Sequence, residues 1–409
     1  MGQINTGDTA FVLISAALVA LMTPGLAFFY GGLVRRKNFL AIMMQSFISM
    51  GVVTTIWVFF GYSLAFSGNE AGGLFGDLHW AVLTGVGHLP GPWAPNIPAQ
   101  AHFVFQEMFA ILTPALITGA FADRVKFKSY LWFLILWSIL VYIPFVHWIW
   151  GGGWLYQRGV LDFAGGIVVH VSAGFAALAS VYVVGRRKLA PGERGLPHNV
   201  AFVALGTGLL WFGWFGFNAG SALAANGIAA QAFVNTDIAG SIAMCTWLAI
   251  TWMRDGKPSL VGALTGAVAG LACVTPAAGY IPTWAAFVMG VAAGSVCYFA
   301  VQFKSLMKWD DALDVWACHG VGGFMGTILL GVFALKSVNP NGAQGLITGQ
   351  WHFFTWQVIA TLVCTAYAFV VTYLILRFLG LFGPIRVSDS FELKGLDETE
   401  FGETAYDLT

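Results

Sequence analysis

The chain has 409 residues, of which 58% are hydrophobic, 9% are charged and 51 are glycine. A soluble chain of this length needs far more charge to cover its surface, so a water-soluble globular protein is excluded. Lys and Arg number 19, as do Asp and Glu, a balance that names no partner.

A membrane-crossing helix needs about 20 apolar residues, and eleven segments qualify: 9–31, 39–66, 102–122, 129–150, 163–185, 200–220, 231–253, 259–279, 283–303, 315–336 and 353–379. They are too long and continuous for barrel strands, which alternate every second residue. The expected fold is an all-α integral membrane protein of eleven transmembrane helices, over residues 1–380, with a tail at 381–409. The opening MGQINTGDTA has no basic stretch, so it is not expected to be a cleaved signal peptide.

Charge sets the expected topology. Of the 19 Lys and Arg, 17 fall on one side of these spans, leaving only Arg158 and Lys336 opposite. Basic loops collect in the cytoplasm, so the N-terminus is expected outside and the C-terminus inside.

Taken in chain order, the outer ends of several spans collect candidate residues. Phe109 lies about two turns into the third span, and Glu107 two residues earlier faces roughly the opposite way. Trp150 ends the fourth span, after His147. Phe217 and Ser221 end the sixth, and their four-residue spacing puts them on one helix face. Asp162 opens the fifth span at the same level. His170 is eight residues deeper, about 12 Å along a helix, too far to form a dyad with Asp162.

His170 and His319 lie inside apolar stretches, DFAGGIVVHVSAGFAALASVYVV and DVWACHGVGGFMGTILLGVFAL. An ionisable side chain within a span costs roughly 2.5–3.5 kcal/mol on insertion scales, so it marks a pathway or a relay. The two histidines fall in the fifth and tenth spans, each preceded by an acid near the helix start (Asp162, Asp314). Two five-span halves would be inverted repeats, which place a substrate site between them. Gly262, Gly266 and Gly270 repeat at four-residue steps and read as a close-packing face. Asp237 sits early in the seventh span, near the outer interface, where it and Glu107 are read as solvated or hydrogen-bonded.

Each residue has a plainer reading. Trp150 alone is an interface-belt residue, Asp162 a helix cap, and Phe109 and Phe217 packing aromatics. Cys245, Cys273, Cys297, Cys318 and Cys364 lie in apolar spans without CxxC spacing, so they read as buried small residues. No metal, cofactor or enzyme active site is expected, and no nucleic-acid partner.

Together the strings WGGGWL (150–155), DFAGGIVVHVSAG (162–174), GWFGFNAGSA (213–222), AFVNT (232–236), GKPSLVGALTGAVAGL (256–271), VTPAAGY (274–280) and DALDVWACHGVGG (311–323) resemble the ammonium transporter (Amt/Mep/Rh) family, in its bacterial and archaeal Amt branch. The resemblance runs from PGLAFFYGGLVRRKN (24–38) to GLDETEFGETAY (395–406). It implies an ammonium/ammonia carrier or channel, with methylammonium as analogue, built as a homotrimer in the lipid of the cell membrane. It makes Phe109, Trp150 and Ser221 a substrate-recruitment site, and Phe109 and Phe217 a stacked gate. His170 and His319 become a twin-histidine pore and Asp162 a supporting carboxylate. The tail becomes the docking region for a PII-type regulatory protein. An ammonium sensor with little flux and an Rh-like channel for a neutral gas remain as alternatives.

The chemistry suits an ammonium substrate. A bare ion enters a low-dielectric path only at a cost on the order of tens of kcal/mol, whereas neutral ammonia loses only hydrogen bonds. Ammonium can shed a proton and potassium cannot. A tryptophan face offers a cation ~0.5–2 kcal/mol, and neutral imidazoles each offer one donor and one acceptor.

Overall fold

The computed structural model describes residues 3–193 and 195–406. Ten helices among these are long and apolar enough to cross a membrane: α1 (Thr6–Leu33), α2 (Arg36–Phe66), α3 (Ala99–Phe121), α4 (Phe127–Ile149), α5 (Gly166–Val184), α6 (Val200–Gly220), α7 (Gly227–Asp255), α9 (Thr283–Leu306), α10 (Trp316–Phe333) and α11 (Trp351–Phe382). Each matches an expected apolar run to within a few residues.

The remaining expected span, 259–279, is shorter than its hydrophobicity implies. It is helical only over Leu260–Val274, here α8. At 1.5 Å per residue, its 15 residues reach about 22 Å, short of the ~30 Å hydrocarbon core. Proline supplies the reason. Thr275 still has helical angles (φ −48°, ψ −47°), but Pro276 has no N–H to donate to the carbonyl four residues back and its ring crowds that carbonyl, and the chain continues as turns through Tyr280. The Pro276 carbonyl then accepts the Phe163 N–H at 2.9 Å, pinning these turns to the lead-in of α5.

The glycine face of α8 packs as its spacing requires: a Cβ on Gly266 or Gly270 would stand 2.6 and 2.4 Å from Trp247 and Ala239 of α7. A close approach at the centre joins α5 to α10. A Cβ on Gly174 would lie 2.1 Å from the Gly320 backbone, and one on Gly323 would lie 2.6 Å from the His170 Cβ. Only glycine lets these two helices touch backbone to backbone, beside both histidines.

Both histidines also occupy a wide helical turn. The segments Gly166–Val171 and Trp316–Val321 are π-helical, the loosened geometry that recurs at functional sites.

On the lysine-rich side, short loops are knitted by ion pairs. Arg35 meets Asp123 at 2.9 Å, and Arg187 meets Asp310 at 2.7 Å. Arg124 is fully buried, donating to the carbonyls of Gly185, Ala122, Ala120 and Asp310. The acidic composition of the tail favours disorder, yet through Tyr406 it is laid against this face. Glu392 binds Arg386 at 2.7 Å and accepts from the Lys188 N–H. Asp397 accepts from the Leu40 and Ala41 N–H groups at the start of α2. Arg194 and Asp407, both counted among the charges of this region, lie outside the described residues.

One sequence expectation needs correction: Cys245 is exposed on α7, while the other four cysteines are buried. Of the two acids read as solvated or hydrogen-bonded, Glu107 is buried, and Asp237 is exposed, in a groove between α7 and α9 beside Ser241 and Thr283.

Candidate functional site

A cavity of about 400 Å³ opens between the ends of α3, α4 and α6, on the side opposite the lysines. Phe109, Trp150, Asp162 and Ser221 all line it, so four residues drawn from separate spans and loops meet in one place. The Trp150 indole N–H donates to the Asp162 carbonyl at 2.7 Å, which fixes the ring over the cavity. The residue is half-buried and lines the cavity. The Ser221 hydroxyl donates to the Phe217 carbonyl at 2.8 Å, so its oxygen lone pairs remain as acceptors.

The cavity floor is aromatic. The Phe109 and Phe217 ring centroids are 4.3 Å apart, inclined at 36°, and Trp150 meets Phe109 edge-on at 6.0 Å. Both phenylalanines are almost completely buried, and together they separate the cavity from what lies beneath.

Beneath them lie the imidazoles. His170 stacks under Phe217 with centroids 6.0 Å apart, and His319 stacks on His170 at 5.1 Å. The two Nδ1 atoms are 3.1 Å apart. A hydrogen bond between them requires one ring to carry its proton on Nδ1 and the other on Nε2. The residues are 1% and 4% exposed, and the His170 Nε2 is buried without a protein partner. An orphaned polar atom at this depth is costly, and it leaves one hydrogen-bonding position open to a small polar guest.

Asp162 stands apart from this file. Its carboxylate accepts N–H groups from Gly165, Gly166, Ile167 and Val168 at 2.6–3.1 Å. It therefore closes the start of α5 and does not touch the imidazole, as their separation along the chain implied.

The corresponding acid before His319 is Asp311 rather than Asp314. Asp311 accepts the Trp316 N–H at 2.7 Å, whereas Asp314 sits at φ 60° and pairs with Lys304. Trp214 is a further element that sequence reasoning missed: it stacks on His170 at 5.4 Å and donates to Thr275 at 2.9 Å. Its spacing from Phe217 and Ser221, three and seven residues on, places all three on one helix face and was the available signal. His102 and Gln106 also line the cavity; the His102 Nδ1 is 2.9 Å from the Tyr62 hydroxyl. His147 bonds the Ala65 carbonyl through Nδ1 at 3.0 Å, a structural contact.

Comparison with known proteins is consistent across sequence and structure. The family model described as the Ammonium Transporter Family matches residues 10–406. Curated relatives include archaeal and bacterial proteins. One of these, named an ammonium transporter of Bacillus subtilis, is 46% identical over 98% of each chain. A crystal structure of Saccharomyces cerevisiae Mep2 superimposes with a TM-score of 0.88 at 35% identity, covering 95% of this chain and 91% of that one. A structure titled Sensor Amt Protein gives 0.87 at 27% identity, with 97% and 98% covered. This multi-span helical membrane protein belongs to the Ammonium Transporter Family.

Proposed function

We propose that this protein takes up ammonium at the aromatic cavity, removes one proton and passes ammonia along the His170–His319 file. The observation that carries the reading is the buried imidazole pair beneath a closed phenylalanine stack. Such a path has no fixed charge with which to pay for a bare cation, but it offers donor and acceptor nitrogens to a small dipole.

Trp150, Phe109 and Ser221 are the recruitment residues in this scheme. The indole face attracts the cation by ~0.5–2 kcal/mol, more as the site dries, and the Ser221 oxygen accepts one of its N–H bonds. Phe109 and Phe217 are the gate, and Asp162 supports the cavity by holding the start of α5. The proton left behind travels separately or returns to the outer solution.

The same reading makes α8 an eleventh crossing, completed by the turns at 275–280, with the N-terminus outside and the lysine-rich face in the cytoplasm. It places the protein in the cell membrane as a homotrimer, one path per subunit, with its tail open to a PII-type partner. The test is ammonium-pulse flux and current through purified protein in liposomes. Saturable, ammonium-dependent flux without potassium current supports the scheme. A second reading, an ammonium sensor, draws support from the likeness to the Sensor Amt Protein structure. Absence of flux with retained ammonium binding would favour it.

A further inference from the structure

Where α4 begins and α11 ends, on the lysine-rich side, the two helices diverge and leave a cleft of about 580 Å³. This lies within the ~300–1,000 Å³ span of small-molecule sites. Lys126, Lys128 and Ser129 form its polar rim, and Trp132, Phe378 and Phe382 form its apolar wall. Lys128, Trp132 and Leu136 follow at four-residue steps on α4, so one helix face passes from cationic to aromatic to aliphatic on its way into the membrane.

That gradient matches the profile of a phospholipid: charged headgroup, interfacial glycerol, acyl chain. The charges are also unsatisfied. Among the described residues, neither lysine Nζ comes within 4.0 Å of a carboxylate oxygen. Glu400 is turned instead onto the Phe127 N–H at 3.0 Å. The wall is open to the bilayer rather than packed: Trp132 is 53% and Phe382 77% exposed.

We propose that this cleft binds one anionic phospholipid of the lysine-rich leaflet, its phosphate between Lys126 and Lys128 and its first acyl carbons against Trp132 and Phe378. Basic pockets between transmembrane helices hold anionic headgroups through this combination of charge and slot. Occupancy also bears on the tail. Gly383 and Pro384 line the cleft, and the next residue, Ile385, accepts the Lys126 N–H at 2.9 Å. A bound lipid therefore braces the point where the tail leaves α11. The proposal stands independently of what the protein transports.

The test is native mass spectrometry of the detergent-purified full chain, titrated with phosphatidylglycerol or phosphatidylcholine of equal chain length. Each lysine near an anionic surface contributes about five-fold, so wild type should prefer the anionic lipid by about 25-fold. The pair Lys126→Ala, Lys128→Ala should bring that preference to near one, and Lys126→Arg, Lys128→Arg should keep it. Arg36→Ala with Lys257→Ala, two exposed cations on the same side, should leave it unchanged. Trp132→Ala should weaken both lipids without altering their ratio. An unchanged preference in the double alanine variant, or none in wild type, overturns the proposal. So does displacement by millimolar glycerol 3-phosphate, which would mark a site for a soluble phosphate.

Discussion

Asp162 and Asp311 hold matching positions on opposite sides of the histidine pair, each eight residues before a buried histidine. Each closes the first turn of its helix by accepting backbone N–H groups, four at Asp162 and one at Asp311. Each of those helices then opens into a π-helical segment that carries the imidazole. The carboxylates thus set where α5 and α10 begin, and thereby the depth at which His170 and His319 meet.

This predicts unequal costs of removing the two acids. Asp162→Ala strands four buried N–H groups, at ~1–3 kcal/mol for each that water cannot reach, and should lower the thermal midpoint more than Asp311→Ala. Asp162→Asn keeps one acceptor oxygen and should fall between wild type and Asp162→Ala. Thermal unfolding in detergent would check the order. Equal midpoints for Asp162→Ala and Asp311→Ala would show that the caps do not set stability.

Replacing either imidazole should damage flux and spare the fold. His170→Ala or His319→Ala opens an apolar gap and removes half of the polar file. A hydrogen bond left unmade in a buried site costs ~1–3 kcal/mol, about 5- to 150-fold in rate. His170→Asp should instead admit potassium, because a fixed negative charge lowers the barrier for a bare cation. Liposome flux with potassium currents distinguishes the two; wild-type transport and selectivity in both alanine variants would dismiss the histidine file.

At the cavity, Trp150→Leu removes the aromatic face proposed to attract the cation, an attraction of ~0.5–2 kcal/mol. Saturation should relax and discrimination between methylammonium and larger amines should weaken. Phe217→Ala removes the proposed gate ring, which also stacks on His170, and transport should change strongly. Unaltered affinity and flux in both would reduce these rings to packing.

The apolar spans were legible because ~20-residue runs have few other uses, and the cavity residues followed from which helix ends share a side. What stayed hidden depends on local geometry. Pro276 shortens α8 despite its hydrophobic sequence. Asp314 lies nearer His319 in the sequence, and it is the Asp311 bond to the Trp316 N–H and the left-handed turn at Asp314 that decide for Asp311. Trp214 is one of 17 tryptophans; its spacing puts it on the face of Phe217 and Ser221, but its stacking on His170 shows only in the structure. The acidic composition of the tail favours disorder while Leu396, Phe401 and Tyr406 among its acids suit docking, and the backbone N–H groups that receive its carboxylates carry no sequence signature.

The Arg187–Asp310 pair gives a pH signature. Burial alone would raise the Asp310 pKa, but the Arg187 guanidinium outweighs it and holds the carboxyl down at about 2. An unfolded Asp titrates near ~3.9, so the folded value is depressed. Its stabilisation is complete above that value and disappears as pH falls through about 2. The difference in thermal midpoint between wild type and Asp310→Asn should be flat from pH 5 to 8 and shrink below pH 4 (~3.9 being the unfolded reference). A constant difference down to pH 3 would show that this charge pair is not what the substitution removes.

The tail offers the last prediction. Residues 385–406 reach several loops at once: Glu392 to Lys188, Asp397 to the start of α2, Glu400 to the start of α4, and Tyr406 to His198 at 2.9 Å. Phe401 packs edge-on to Phe127 at 5.0 Å. These contacts tie the tail to three spans at their ends on the lysine-rich side, so its docking and the spacing of those spans are mechanically linked. Deleting 385–409 exposes the Leu40, Ala41 and Phe127 N–H groups at a face that water reaches, so the bundle should remain folded. Flux should fall, and any binding of a PII-type protein should be lost. The smaller change Asp397→Ala removes only the contact at the start of α2 and should produce part of the same loss. Flux and partner binding equal to wild type in the truncated protein would make the tail a passive end that happens to lie flat.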